Sequence, residues 1–350
     1  MLLKKEYEKH IVNKKKKILN FLLFLFIISL ICLVLGTDKS IFGALNAVFC
    51  FVIGIPFPDE TVIDDKIIVY LRLPRICLAI LAGFGLAVSG AMMQSVTRNF
   101  LVSPFTLGVS SAAAFGASLC IVFGSATVMF NDIYIISSAF LASMVSIIII
   151  FLVSKKIGIT ANSIVLVGIA LNYFFGAMTA ALQFFAQENK LATVVQWTFG
   201  TFNKANWEAV IVIFFIVLLT CLYSPNLYLK WDAMATGDDE HIKSLGVNPE
   251  ILRAKTMFLA ILLTATIISF TGVIGFIGLI APHMGRFIVG NNHKFLFPAT
   301  GLIGALLLLI ADTIGRFILY PVNVPVGIVV SFLGVPLFIN LIINSRKSEL

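Results

Sequence analysis

Apolar runs of bilayer-crossing length follow one another almost without interruption in this chain, at 18–36, 75–96, 104–124, 132–154, 162–186, 207–224, 256–271, 273–289, 298–320 and 324–344. A hydrocarbon core about 30 Å thick needs about 20 apolar residues of helix to cross it. Inside lipid each backbone N–H and C=O must find its partner within the segment, so such runs predict helices. The reading is therefore an all-α polytopic membrane protein with about ten transmembrane helices. Composition excludes the alternatives: 59% of the residues are hydrophobic and 12% charged, against about 25% charged in soluble domains. A soluble enzyme or a disordered chain cannot be built from this stock. The first run follows Lys14–Lys17 but outruns the apolar core of a signal peptide, and no small-residue cleavage site follows it, so an uncleaved anchor is expected.

The formal net charge is +8, yet the lysines gather at the edge of an apolar run with no aromatic-interleaved basic face, which argues against nucleic acid. Topology explains them. With the N-terminus inside, Lys39, Lys66, Arg72, Arg75, Lys190, Lys204 and Arg316 fall outside, and the other eighteen of the 25 Lys and Arg residues fall inside. That bias favours both termini on the cytoplasmic side. The chain then divides into a basic cytoplasmic N-terminus (1–17), a single transmembrane domain (18–344) and a cytoplasmic tail (345–350).

The sizeable polar cytoplasmic stretch is 225–255, and its punctuation predicts two short helices. Thr236 or Gly237 can cap the first, whose opening turn carries Asp238, Asp239 and Glu240, with Lys243 near its negative end and Gly246 just past it. Asn248, Pro249 and Glu250 supply a cap, a proline and an acidic first turn for the second, which runs on into the next span.

Within the spans, small residues at Ala79, Gly83, Ala87 and Gly90 predict close helix approach. Gly272, Gly275 and Gly278 with Pro282 place breakers where the chain reverses or where irregular backbone lines a cavity. Ionisable residues are sparse. Asp312 and Arg316 stand at i and i+4 and can neutralise each other, and His283 and Arg286 lie in the cytoplasmic half of their span. Asn172 and Gln183 are polar but neutral, candidates for a pathway. Asp312 is the one carboxylate available to an ion-driven carrier, so ion coupling is disfavoured. Cys32, Cys50, Cys77, Cys120 and Cys221 lack metal-ligand spacing and read as small apolar residues. No Walker sequence, Ser/His/Asp set, HExxH or paired carboxylates can be found, so no catalytic residue, metal site or bound cofactor is expected. Energy for transport has to come from another chain.

Particular strings carry a resemblance. Leu71-Arg72-Leu73-Pro74-Arg75, Ser89-Gly90-Ala91 with Gln94, Thr97-Arg98-Asn99, Pro104 and Leu107-Gly108-Val109-Ser110-Ser111 resemble the permease subunits of FecCD/BtuC-type ABC importers for iron–siderophore complexes, haem and vitamin B12. Trp197 to Gly200, Leu245-Gly246-Val247, Gly275-Phe276-Ile277-Gly278-Leu279-Ile280-Ala281-Pro282-His283, Asp312, Pro325-Val326-Gly327-Ile328 and Leu333-Gly334-Val335-Pro336 continue the pattern in order, over about residues 70–344.

The resemblance implies the type II ABC importer permease fold in a bacterial cytoplasmic membrane. It also implies a homodimer or heterodimer of permeases, two cytoplasmic ATPase subunits that use ATP and Mg²⁺, and an extracytoplasmic substrate-binding protein. Arg72, Arg75 and Arg316 are similar to arginines that meet acidic residues of the binding protein. Gly237, Asp238, Asp239, Glu240, His241, Ile242, Lys243, Ser244, Leu245 and Gly246 resemble the helix that couples to the ATPase. Iron–siderophore is the expected cargo, with haem or cobalamin behind it and an ion-coupled secondary carrier as the rival from another class. The chain departs from the pattern at Asn99-Phe100-Leu101-Val102-Ser103-Pro104, where Pro commonly follows Asn, and at Asn323, where Glu is usual.

Overall fold

The computed structural model describes residues 2–35, 39–57, 62–124 and 132–347, and among these there is no strand. The end of the 345–350 tail lies outside the described residues. In chain order the helices are α1 (Leu2–Val34), α2 (Ile41–Ile53) and α3 (Val62–Ile67), which passes through a π-helical turn (Ile68–Arg72) into α4 (Leu73–Thr97). Then come α5 (Val109–Phe123), α6 (Asp132–Ile157), α7 (Ala161–Phe185), α8 (Glu188–Thr198) and α9 (Trp207–Tyr223). The polar stretch holds α10 (Tyr228–Met234) and α11 (Asp239–Ser244), and the chain ends with α12 (Pro249–Thr271), α13 (Ile277–Val289), α14 (His293–Phe317) and α15 (Val326–Lys347).

Seven of these stretches are long and apolar enough to cross a membrane, and α5, α13 and the apolar part of α15 are shorter apolar helices, so each expected run is a helix. The apolar helix α2 is an addition to the expected set. Its 13 residues fall short of the usual span, Ser40 caps its start, and Gly54 ends it at φ 78°. Its Phe51 ring stacks 5.8 Å from Trp207, at the first residue of α9.

Helices α4, α12 and α14 form the buried centre, and glycine decides how closely they meet. A Cβ on Gly83 would stand 2.4 Å from the Gly304 carbonyl oxygen, and one on Gly90 would stand 1.8 Å from that of Gly278. No side chain fits either place, which is how small residues let backbones touch in lipid. At the periphery Tyr173, Phe174, Phe184 and Phe215 stand exposed on α7 and α9.

Between α12 and α13 the chain leaves helical geometry at Gly272 (φ 71°) and Phe276 (φ 63°). This break is not open to water or lipid on its own. Thr201 N donates to Thr271 O (2.8 Å), and Gly327 N donates to Phe199 O (3.1 Å). Three irregular stretches thus satisfy one another's backbone at the end opposite to 225–255, as low-dielectric surroundings demand.

Candidate functional site

The polar stretch is tied to the bundle by two clusters of charged and hydrogen-bonded side chains. In the first, α11 starts at Asp238, whose carboxylate accepts from His241 N at 3.2 Å. This corrects the expected cap at Thr236 or Gly237: the Thr236 hydroxyl instead donates back to Ala233 O (2.8 Å). The expected stop holds, with Gly246 at φ 78°, its N–H on Lys243 O and the Val247 N–H on Ile242 O, a Schellman ending. Asn248 caps α12 by accepting from Glu250 N (3.0 Å) and Ile251 N (3.2 Å).

Ile242 is buried beneath α11, and Asp239 faces the bundle beside it. The Asp239 carboxylate accepts from Arg253 Nη1 and Nη2, both at 2.7 Å, and from Arg98 Nη2 at 2.8 Å. Arg253 is only 2% exposed, and it also donates to Val96 O and Ile159 O, each at 3.2 Å. Arg98, held at φ 51°, donates to Met234 O at 2.7 Å. One guanidinium therefore joins α4, the α6–α7 turn, α11 and α12, and a second adds α10. The Arg253 hydrogen bonds hold the Asp239 carboxyl below its usual range against the opposing pull of burial, with the charges of Arg253 and Arg98 adding to the effect.

The second cluster lies on α10. Asp232 accepts from His293 N (3.0 Å) and lies 2.5 Å from His293 Nδ1, while Nε2 of the same ring is 2.5 Å from Ser95 Oγ. Burial raises the Asp232 carboxyl, but the His293 hydrogen bonds and charge outweigh it, and the group sits below its usual value. Neighbouring Trp231 is fully buried and donates to Thr256 Oγ1 at 3.0 Å. A Ser/His/Asp set therefore does exist, contrary to the sequence reading. It is structural rather than nucleophilic: Ser95 is buried and donates to Ala91 O (2.7 Å). The three residues come from α4, α10 and the start of α14, so they form a strut between them.

Phe100, one of the departures from the family pattern, is part of a third contact. Arg286 Nη1 donates to Gln94 Oε1 (2.5 Å), Gln94 Nε2 donates to Phe100 O (2.9 Å), and the guanidinium lies 4.5 Å over the Phe100 ring. An aromatic face is a favourable seat for a cation.

At the opposite end the three arginines expected to dock a partner converge on the bundle. Arg75 donates from Nε to both Asp312 oxygens (3.1 and 2.9 Å), from Nη2 to Oδ1 (2.7 Å), and from Nη1 to Asn203 Oδ1 (3.0 Å). The expected Asp312–Arg316 neutralisation is thus the lesser one, a 3.5 Å approach from Arg316 Nε. Arg316 Nη2 donates to Thr313 Oγ1 at 3.4 Å. Arg72 donates to the Leu33 carbonyl (3.3 Å) and to that of Leu35. Close by, a cavity of about 160 Å³ opens between Ile135, Trp197, Asn206 and Thr271, with the Lys204–Asp132 pair (2.6 Å) among its lining residues.

Of the two pathway candidates, Asn172 accepts a hydrogen bond from Ser111 on α5, and its backbone presses on Gly108, which takes φ 79°. Gln183 lies on the same helix about 16 Å further along. The structure does not bring the two together. Sequence reading missed Arg253, Asp232 and His293, whose partners lie tens to hundreds of residues away. Their only early signal was charge beside otherwise apolar spans.

Comparison with known proteins agrees with this architecture. The chain is 39% identical to an ABC transporter permease protein of Methanocaldococcus jannaschii, over 97% of this chain and 98% of that one. It is 36% identical to the molybdate import permease MolB of Haemophilus influenzae (79% and 80% covered) and 36% identical to the Fe(3+)-citrate import permease YfmE of Bacillus subtilis (93% and 96% covered). A solved metal-chelate type ABC transporter in an inward-facing conformation superposes with a TM-score of 0.83 at 32% identity, covering 94% of this chain and 99% of that one. The profile described as the FecCD transport family matches residues 21–344. With the expected spans in place and the family profile covering nearly all of them, the chain is a multi-pass ABC importer permease and belongs to the FecCD transport family.

Proposed function

We propose that this permease carries an iron–siderophore complex inward, working as a dimer with two ATPase subunits beneath α11 and a substrate-binding protein on the opposite face. The observation that carries the reading is the Arg253 hub. A push on α11 reaches α4, α12 and the α6–α7 turn through one buried guanidinium, so closure of the ATPases tilts the bundle as a body and changes which side the pathway faces. The Lys and Arg distribution supports placing α11 and both termini on the cytoplasmic side. Leu245, 53% exposed beside Glu240 and His241, offers the ATPase an apolar knob with polar surroundings.

Iron as cargo is supported by the Fe(3+)-citrate relative; the molybdate relative favours an oxyanion as the second reading. Uptake of labelled ferric siderophore by the complete transporter in vesicles, with molybdate and haem as competitors, decides between them. Transport of molybdate or haem without ferric siderophore would overturn the cargo. For coupling, Leu245→Asp with His241→Ala is expected to abolish uptake and ATPase attachment while the permease stays folded. Normal coupled uptake would dispose of that role. Docking is tested with Arg72→Glu alone, because Arg75→Glu would also strand Asp312. Weakened capture of the binding protein is expected, and unchanged capture counts against Arg72.

A further inference from the structure

Helix α1 has a fixed rotation. At one end Lys17 Nζ donates to Ile288 O (2.9 Å) and the Lys14 ammonium lies 5.5 Å over the Phe295 ring. At the other end Cys32 Sγ is 3.1 Å from Thr313 Oγ1. With Lys14 and Lys17 engaged by the neighbouring helices, Lys15 and Lys16 are left exposed on the face beside them. Among the described residues neither has an ion-pair or hydrogen-bond partner, and Glu8, the carboxylate nearest to Lys15 along that face, is about two turns away.

Directly below Lys15, at helical spacings of four, seven and eleven residues, come Leu19, Leu22 and Phe26. These line a half-open apolar groove of about 490 Å³ that is closed on one side by Ile80 of α4. From Lys17 to Val34 the helix rises about 26 Å, close to the thickness of the hydrocarbon core. The two lysines therefore stand at the level of lipid headgroups, with the groove running into the acyl region beneath them.

We propose that this face of α1 is a binding site for one anionic phospholipid, its phosphate between Lys15 and Lys16 and an acyl chain in the Leu19–Phe26 groove. Two cations without a carboxylate, placed above a chain-sized apolar groove, complement a negative headgroup joined to a hydrocarbon tail, and a zwitterionic lipid matches only the lower half. A basic residue near an anionic leaflet contributes roughly fivefold in binding.

Native mass spectrometry of the full-length chain tests this, with titration by phosphatidylglycerol or by phosphatidylcholine of the same acyl chains. Phosphatidylglycerol is expected to be retained preferentially. Lys15→Gln with Lys16→Gln should cut its retention roughly 25-fold and leave phosphatidylcholine unchanged, and Leu22→Trp, which fills the groove, should lower retention of both. Lys155→Gln with Lys156→Gln removes an equally exposed pair at the same end, which lacks this groove, and should leave the preference intact. Equal retention of the two lipids, or an equal loss in the Lys155/Lys156 variant, would overturn the site in favour of diffuse charge. So would a Leu22→Cys disulfide between two permeases in the membrane, because a second copy would then occupy the groove.

Discussion

The two ends of the molecule use arginine in opposite ways. Near 225–255, Arg253 and Arg98 each reach across to other elements, and their shared carboxylate Asp239 is 35% exposed on the short helix α11. At the far end Arg75 and Arg316 both turn towards Asp312, which is 2% exposed. The first arrangement connects separate helices and a turn through side chains that span the gaps between them. The second neutralises charge within a packed body. Similar ion pairs thus serve as linkage in one place and as internal cement in the other, and the difference lies in whether the carboxylate sits at the surface or in the core.

Asp312→Ala offers the hardest test of that contrast. Removing the carboxylate leaves two half-buried guanidiniums without it, and stranding a buried ion costs about 3–5 kcal/mol. A large fall in thermal stability in detergent is expected, with ATP hydrolysis still coupled to uptake in whatever fraction folds. Uncoupling in a permease of unchanged stability would erase the distinction between the ends.

Arg253→Ala should show the reverse balance. Losing charge-assisted hydrogen bonds to Asp239 costs about 1.5–3 kcal/mol, and the stronger effect is expected on function, with ATPases bound and hydrolysing but uptake lost. Wild-type uptake per ATP would show that the hub transmits nothing.

Asp232→Asn is gentler, because the amide oxygen still accepts from His293 N. A loss of about 1 kcal/mol is expected, with faster hydrogen exchange in α10 and no change at the far end. Exchange that rises equally at both ends would mean the strut is not local.

The smallest effect is one of pH. The Asp239 carboxyl is held below its ordinary 3.8 by Arg253, so its contribution is complete above that value and disappears only as pH falls through the lower, folded value. Exchange protection of α11 should therefore stay flat from neutrality down to about pH 4 and fall below it. A drop already at pH 6 would assign the attachment to another group.

What could be read in advance followed from local rules. Apolar length located the spans, Gly246 and Asn248-Pro249-Glu250 marked real helix ends, and the small-residue face of α4 is where its glycines meet those of α13 and α14. The cap shifted to Asp238 because Thr236 was already engaged in closing α10, a competition visible only once that helix exists. Helix α2 escaped notice because its 13 residues fall below the length that a bilayer requires. The clusters were illegible for a different reason: Arg75 and Asp312 are 237 positions apart, Ser95 and His293 198, and one sequence contains no information on which distant charges meet. The i, i+4 rule found Arg316 for Asp312 and so named the weaker partner.

Gly90 and Gly278 leave no room for even a methyl group between α4 and α13. Surfaces in such contact admit no added atom between them, so α4 and α13 are locked together as one unit. A residue as small as alanine at Gly90 would drive the two backbones apart, so one added methyl group at this seam is enough to disturb the whole centre of the bundle.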